Sequence, residues 1–411
     1  MRKRIEKIKK NLSKLQVLNK ELKKIIILEF VKNLKINKNL ILKANQKDLD
    51  NFDKNNALKD RLLLNENRFD ALCDSLEQIA HLPDPIGQIL DEWTNKIGLN
   101  IKKISIPLGI ICIIYEARPA ISAELIAMLL KSSNGGILKG GSEAKHTNIA
   151  IFNTILAVLK KYELDNCFLM LNHKDEIKEL LKYDDIIDIV IPRGSSKMIK
   201  EISQNTKIPL IKHDKGLCHI FVDKSANILK AISIIINAKC QRPSTCNALE
   251  TLILHEAIAQ EFLEKIIKEF KNFKLKIHAD QRSFDILKNQ NYDNLILASE
   301  EDFNTEYLDY ELNIKIVKNH LKAIEHINDF SSFHSDGIIS NDINNIKDFQ
   351  TFINSSCVFV NTSTRFNDGG EFGFGAEIGI STNKLHARGP VGLKELCTYK
   401  YIVSGDGQIR K

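Results

Sequence analysis

The sequence predicts an α/β protein of two domains, each built on a parallel-type sheet, together with a small β arm. Three observations carry this expectation. The chain has 411 residues, more than one ordinary hydrophobic core organises. From Leu108 to Val358, short apolar runs alternate with stretches of helical periodicity, the pattern of strand–helix–strand units. Apart from that series, Ile97 to Ile106 alternates apolar and polar residues, as a strand with one exposed face does.

Taken in order, residues 1 to 80 read as helices, with apolar positions recurring at three- and four-residue spacing through Ile5, Ile8, Leu12, Leu15 and Leu18 and again from Ile25 to Leu34. Asp60 and Asn65 are expected to mark breaks, and Leu82-Pro83-Asp84-Pro85 a turn, because each proline fixes its own φ and disfavours helix before it. The first domain's strands are expected at Ile110–Ile114, Gly136–Lys139, Phe168–Leu171, Ile186–Ile191 and Ile208–Ile211. Its helices are expected at Arg118–Lys131, Lys145–Lys161, Asp175–Tyr183 and Ser195–Gln204. This is a doubly wound sheet. A second set follows Gly216, with strands at His219–Val222 and Thr251–His255 and near Lys276, Leu295, Ile314, Ile338 and Val358. Helices end at Lys239 and run through Phe270. With no repeat or low-complexity linker, domains packed face to face about a cleft are expected.

Composition narrows the classes. No apolar run approaches a membrane span and the basic amino terminus lacks the apolar core of a signal peptide, so the expectation is a soluble, cytoplasmic protein with no membrane partner. The eight cysteines show neither CxxC pairs nor metal-ligand spacing, which implies reduced thiols and no metal. The net charge of +7 is dispersed, so no nucleic-acid partner is expected. The clusters Arg2–Lys10 and Lys20–Lys24 read as solvated helix faces.

Chemistry concentrates between Asn237 and Glu250, where Cys246 sits in a polar loop downstream of Lys239 and Arg242. Positive charge near a partly exposed cysteine favours the thiolate, the form that attacks carbon. The alternative is a buried small apolar residue at a loop-to-strand junction. Lys139-Gly140-Gly141-Ser142-Glu143 and Pro192-Arg193-Gly194-Ser195-Ser196 each follow a strand and open a helix, where free backbone N–H groups bind phosphate or where a tight turn simply caps the helix. Arg365, flanked by Thr364 and Asp368 and followed by the glycine-dense Gly369–Gly375, offers a planar donor fork for a carboxylate or phosphate. His213 and His219 flank the seam of the two domains, as anion ligands, acid–base groups or structural histidines.

These segments together resemble the gamma-glutamyl phosphate reductase family of the aldehyde dehydrogenase superfamily over nearly the whole chain. The resemblance rests on Ala44-Asn-Gln-Lys-Asp-Leu, Asp60-Arg-Leu, Leu82-Pro-Asp-Pro-Ile-Gly, Pro107-Leu-Gly-Ile, Tyr115-Glu-Ala-Arg-Pro119, Leu138-Lys-Gly-Gly and Ile191-Pro-Arg-Gly. It extends through His213 to His219, Arg242-Pro-Ser-Thr-Cys-Asn-Ala-Leu-Glu250, Arg365-Phe-Asn-Asp-Gly-Gly-Glu-Phe-Gly, Gly379-Ile-Ser-Thr and His386-Ala-Arg-Gly-Pro390. It implies an aldehyde dehydrogenase-like fold and NADPH-dependent reduction of L-glutamyl 5-phosphate to L-glutamate 5-semialdehyde and phosphate, the second step of proline biosynthesis. A hydrolytic aldehyde dehydrogenase acting on another small aldehyde is the alternative.

In its terms Cys246 is the nucleophile, and its backbone N–H with Asn247 receives the oxyanion. Arg242, Arg365 and His219 bind substrate. Lys139, Gly140 and Ser142 meet the adenosine ribose, Arg193, Gly194 and Ser195 the pyrophosphate side, and Glu306 the nicotinamide ribose. Ser142, rather than the adjacent Glu143, at the ribose favours NADPH over NADH. The superfamily's water-activating glutamate has no counterpart in Lys212-His213-Asp214-Lys215-Gly216, which suits a thioester attacked by phosphate or hydride. Cys240 is a local departure, six residues before Cys246, that could pair with it. The domains implied are 1–96 with 107–215 for the cofactor, 216–384 for catalysis, and 97–106 with 385–411 as an arm adding strands to a neighbouring subunit in a dimer or tetramer. Glutamate 5-kinase, which makes the unstable acyl phosphate, is a candidate partner.

Overall fold

A computed structural model describes residues 1–52, 56–116, 119–212 and 215–410. The expected roles of His213 and Asp214, and the helix start at Arg118, lie outside the described residues. Contacts divide the chain into one compact unit of Met1–Lys212, Gly373–Gly379 and Val391–Lys411, and another of His213–Phe372 and Ile380–Pro390.

The first unit opens with helices Arg2–Gln16, Lys20–Ile36, Lys38–Asp50, Asn56–Leu62 and Glu66–His81. Asn65 starts the last of these, its side chain accepting from Arg68 N at 2.9 Å, as an N-cap does. Asp60 corrects the expected break: it lies within Asn56–Leu62, and its carboxylate pairs with Arg68 at 2.8 Å. Ile5 and Ile8 of the first helix join a core with Ile110, Cys112, Ile114, Ile137 and Val190 from the sheet. Gly135 permits that approach, since a Cβ there would stand 2.7 Å from Ile8 and Leu12.

That sheet is parallel, in the order Phe168–Met170, Gly135–Lys139, Ile110–Tyr115, Ile189–Arg193. The segment at Ile208–Ile211 contributes only a bridge between Leu210 and Val190, because Pro209 has no N–H to extend a ladder. The solvated face expected at Lys20–Lys24 also needs correction. Lys23 is 1% exposed, and its ammonium donates to Asp84 at 2.8 Å and to the Lys131 carbonyl at 3.1 Å, so the Leu82–Pro85 turn is anchored by a buried ion pair.

The β arm belongs to this unit and is wider than the sequence implies. Ile89–Thr94, expected within the cofactor domain, pairs antiparallel with Asn100–Pro107, which pairs in turn with Cys397–Ser404. Ile89, Leu90, Trp93, Tyr401 and Val403 remain exposed on it.

The second unit carries a seven-stranded parallel sheet ordered Leu295–Leu297, Lys276–Ala279, Glu311–Val317, Leu249–His255, Cys218–Val222, Ser335–Ile339, Cys357–Val360. Alternate residues feed two cores: Ile220, Leu252 and Leu254 pack with Phe262, Leu263 and Ile266 on one face, while Phe221 and Ile253 pack with Ile327 and Phe349 on the other. Burial on both faces explains why these strands read as continuous apolar runs. No helix among the described residues is long and apolar enough to cross a membrane.

Candidate active site

Cys246 lies between helix Ile228–Cys240 and strand Leu249–His255, and so at the amino end of its strand, not at the carboxyl end where ligands of open parallel sheets commonly sit. The thiol residue is half-buried, and none of the eight cysteines is disulfide-bonded. Its carbonyl packs against Gly216, where a Cβ would come within 2.1 Å of it, and accepts from the Cys218 thiol at 3.3 Å.

Lys239 does not serve as a cation for the thiol. It is fully buried and bonded to Glu250 at 2.9 Å, a pair that staples the two ends of the Cys246 loop. Burial pushes Glu250 up to about 7, with Lys239 pulling it back down. Cys240 is equally removed: it packs in the apolar core beside Ala238 and Leu249, and burial raises its thiol to about 11, so it makes a poor partner for thiolate chemistry.

The cation at the loop is Arg365, brought back by the 3₁₀ turn Thr364–Phe366. Its Nη1 donates to Thr245 Oγ1 at 2.9 Å and to Asn247 Oδ1, the residues on either side of Cys246, and its Nε donates to Gln241 Oε1 at 2.9 Å. Burial and the nearby Arg242 lower its pKa, and negative charge at Cys246 raises it. Arg242 itself is exposed. Asp368, the carboxylate beside Arg365 in sequence, is engaged in its own turn, accepting from Gly370 N at 2.9 Å.

Two expected roles change here. Asn247 is 4% exposed, and its Nδ2 donates to the carbonyls of Arg365 at 3.3 Å and Asn367 at 3.0 Å. Both amide hydrogens are thereby used, leaving none for an oxyanion. His219 is 0% exposed, with Nδ1 2.9 Å from Asp336, so it has no surface with which to bind a substrate and serves inside the sheet. Glu306 accepts from Gly216 N at 2.8 Å, which ties it to the Cys246 neighbourhood, and burial raises its pKa.

The remaining residues gather in the first unit at the carboxyl ends of Gly135–Lys139 and Ile189–Arg193, on either side of Tyr115 and Glu116. Gly140 is required by packing, since a Cβ would lie 2.3 Å from Asn148 Nδ2. Ser142 is exposed beside Glu143, their side chains 3.5 Å apart. Lys139 is turned inward, 6% exposed and donating to the Gly140 carbonyl, so it braces its own loop instead of projecting toward a ribose. Arg193 is half-buried against Gly379, where a Cβ would meet the guanidinium at 3.0 Å.

At the helix end after Gly194, read as a phosphate site or a simple capping turn, the structure puts a carboxylate. Glu116 Oε1 accepts from Ser195 N at 2.7 Å, and a Cβ on Gly194 would lie 2.5 Å from the Glu116 carboxyl carbon. Sequence reasoning also missed Asp48, whose carboxylate accepts from His146 N at 3.0 Å, Thr147 N at 2.8 Å and Thr147 Oγ1 at 2.6 Å. It occupies the amino terminus of helix Lys145–Lys161, and the only sequence signal was its place in the Ala44–Leu49 motif. The exposed hydroxyl, the guanidinium and the closely packed glycines at the ends of the two strands that flank Ile110–Tyr115 nevertheless suit the ribose and phosphates of a dinucleotide.

Two α/β units on parallel sheets, with a thiol loop opening a central strand of the second, define an aldehyde dehydrogenase fold, and residues 41–292 match the aldehyde dehydrogenase family. A Campylobacter jejuni protein named gamma-glutamyl phosphate reductase is 57% identical over 411 residues, covering 100% of both chains. A Nautilia profundicola protein of the same name is 46% identical over 400 residues, 96% of each. The crystal structure of gamma-glutamyl phosphate reductase from Thermotoga maritima matches with a TM-score of 0.96 at 39% identity, covering 100% of this chain and 99% of that one. The chain therefore belongs to the gamma-glutamyl phosphate reductases of the aldehyde dehydrogenase family, as its motifs imply.

Proposed function

We propose that this chain reduces L-glutamyl 5-phosphate to L-glutamate 5-semialdehyde and phosphate with NADPH, through a thioester on Cys246, in the second step of proline biosynthesis. The observation that carries the reading is the half-buried Cys246 flanked by two residues bonded to one arginine, in a chain collinear with reductases of that name.

The Cys246 thiolate attacks the acyl carbon, and the carbon–oxygen bond to phosphate breaks with its electron pair leaving on phosphate. Arg365 and Arg242 receive that dianionic leaving group. Backbone amides, that of Cys246 among them, stabilise the oxyanion, the Asn247 side chain being engaged elsewhere. A nicotinamide, when bound, would supply the hydride for reduction of that thioester. The resulting thiohemiacetal collapses to aldehyde and thiolate. Ser142, Arg193 and the Ser195 loop would hold the cofactor, with Gly140 allowing the close turn, and Glu306 is the carboxylate that would meet its nicotinamide ribose. Lys139 contributes by bracing that loop. The absence of a glutamate from Lys212 to Gly216 leaves phosphate, not water, as the thioester's partner in the reverse direction.

The exposed apolar residues of the arm support assembly with further copies of the chain, as a dimer or tetramer. A cytoplasmic setting, and glutamate 5-kinase as the source of the labile substrate, accord with this chemistry. The deciding experiment is oxidation of glutamate 5-semialdehyde with and without inorganic phosphate. Turnover that requires phosphate and prefers NADP to NAD is expected, whereas phosphate-independent release of free glutamate would identify a hydrolytic aldehyde dehydrogenase. Equal kcat/KM for NADPH and NADH would remove the cofactor assignment alone.

A further inference from the structure

Arg365 carries five N–H donors, and the structure accounts for three of them. Nε goes to Gln241, and Nη1 goes to Thr245 and Asn247. All three partners are neutral, and among the described residues Nη2 meets no acceptor. A half-buried guanidinium whose bonds all go to uncharged groups keeps its positive charge, and holding one edge fixes the plane of the other. Asn247 is in turn immobile: its Nδ2 donates to the Arg365 and Asn367 carbonyls, its own carbonyl accepts from Thr364 Oγ1 at 2.8 Å, and its Oδ1 lies 2.9 Å from Thr245 Oγ1. It grips Arg365 by main chain and side chain at once.

We infer that Asn247, with Thr245 and Gln241, is a positioning residue whose task is to hold Arg365 so that its unengaged Nη2 edge receives the phosphate that leaves, or attacks, at Cys246. The inference rests on the acyl phosphate reading proposed above and assigns the phosphate of that reaction to a specific, braced donor. It also explains why the residue after the nucleophile is an amide that spends both donors internally. A held guanidinium discriminates phosphate dianion from water and from monoanionic acyl acceptors, because its charge is not spent on an internal carboxylate and Nη2 keeps its hydrogens for phosphate oxygen.

The test is a double-substitution cycle read as KM for inorganic phosphate during semialdehyde oxidation by the full-length protein. Asn247→Ser raises that KM about tenfold and lowers kcat at saturating phosphate by less than about threefold, and Arg365→Gln raises the KM further. In the Arg365→Gln background, Asn247→Ser adds nothing. Multiplying effects, or loss of kcat with an unaltered phosphate KM, would overturn the inference in favour of a direct role for Asn247. Thr245→Val, which removes one neutral acceptor without a change of shape, raises the phosphate KM about threefold in the same direction; no change in it counts against the inference.

A second readout needs no turnover: the ratio of Cys246 alkylation rates by iodoacetate and iodoacetamide. A positioned guanidinium favours the anionic reagent, and the ratio falls in both Asn247→Ser and Arg365→Gln. If wild type proves indifferent to phosphate, the reaction assignment fails and this ratio still decides whether Asn247 acts through Arg365. An unaltered ratio in Asn247→Ser overturns that claim.

Discussion

The turn at Pro192–Ser196 and the loop at Gln241–Glu250 treat positive charge in opposite ways. In the first, the helix amino terminus is met by a carboxylate of the chain itself, Glu116 on Ser195 N, and two strands away Asp48 does the same for helix Lys145–Lys161. In the second, the guanidinium of Arg365 is bonded to amides and a hydroxyl and keeps its charge. An anion arriving at Ser195 must compete with a resident carboxylate. One arriving beside Cys246 meets an unneutralised cation. The difference suits a cofactor that exchanges each turnover and a phosphate that must be gripped during bond breaking.

Substitutions can break this contrast, beginning with the largest effect. Cys246→Ala removes the proposed nucleophile and should lower turnover in both directions by about four orders of magnitude or more, with cofactor binding, followed by fluorescence titration, retained. Lys239→Met strands Glu250 at 1% exposure and should cost about 3 kcal/mol or more in urea unfolding. Restoration of stability by a second change, Glu250→Leu, would show that the pair clamps the loop without contributing charge to the thiol. Asp48→Ala should cost about 2 kcal/mol by the same measurement, because it leaves the His146 and Thr147 N–H groups without their carboxylate.

The smallest expected effect lies at the competing carboxylate. Glu116→Gln should lower the KM for the nicotinamide cofactor by about two- to fivefold, since a helix end bonded to a neutral amide yields more readily to a phosphate. A rise in that KM would mean that Glu116 organises the loop instead of guarding it.

A pH experiment extends the comparison to charge that is excluded altogether. Burial, aided by His219 and Lys315, holds His326 down at about 2, against an ordinary value of 6.5. The neutral folded form therefore contributes stability that is complete above about pH 6.5 and is lost as the pH falls toward 2, by up to about 1.4 kcal/mol per pH unit. His326→Phe, placed among Phe303 and Phe330, should flatten the fall in the urea midpoint between pH 7 and pH 5.

What was legible in the sequence follows the same physics. The strands of both sheets could be placed because burial on two faces makes apolar runs, and helix Lys145–Lys161 because its apolar period is regular. The Cys246 loop, Arg365 and the two glycine-bearing turns were legible as motifs. The partners of buried polar groups were not: Lys23 finds Asp84 61 residues away and His219 finds Asp336 117 residues away, separations that no local pattern encodes. For the same reason Lys239 reads as a cation for the thiol until Glu250 is seen beside it, and Asn247 reads as an oxyanion donor until both its hydrogens are accounted for. The turns at Lys139–Glu143 and Pro192–Ser196 read either as phosphate sites or as simple caps, and the carboxylates at the helix ends that follow them come from distant segments.

The most direct test of the thioester account is intact-protein and peptide mass spectrometry after mixing the enzyme with glutamate 5-semialdehyde and NADP in phosphate-free buffer. One glutamyl group per chain is expected on Cys246, formed with a stoichiometric burst of NADPH and discharged on addition of phosphate. Continued turnover without phosphate, or an adduct on any other residue, would contradict it.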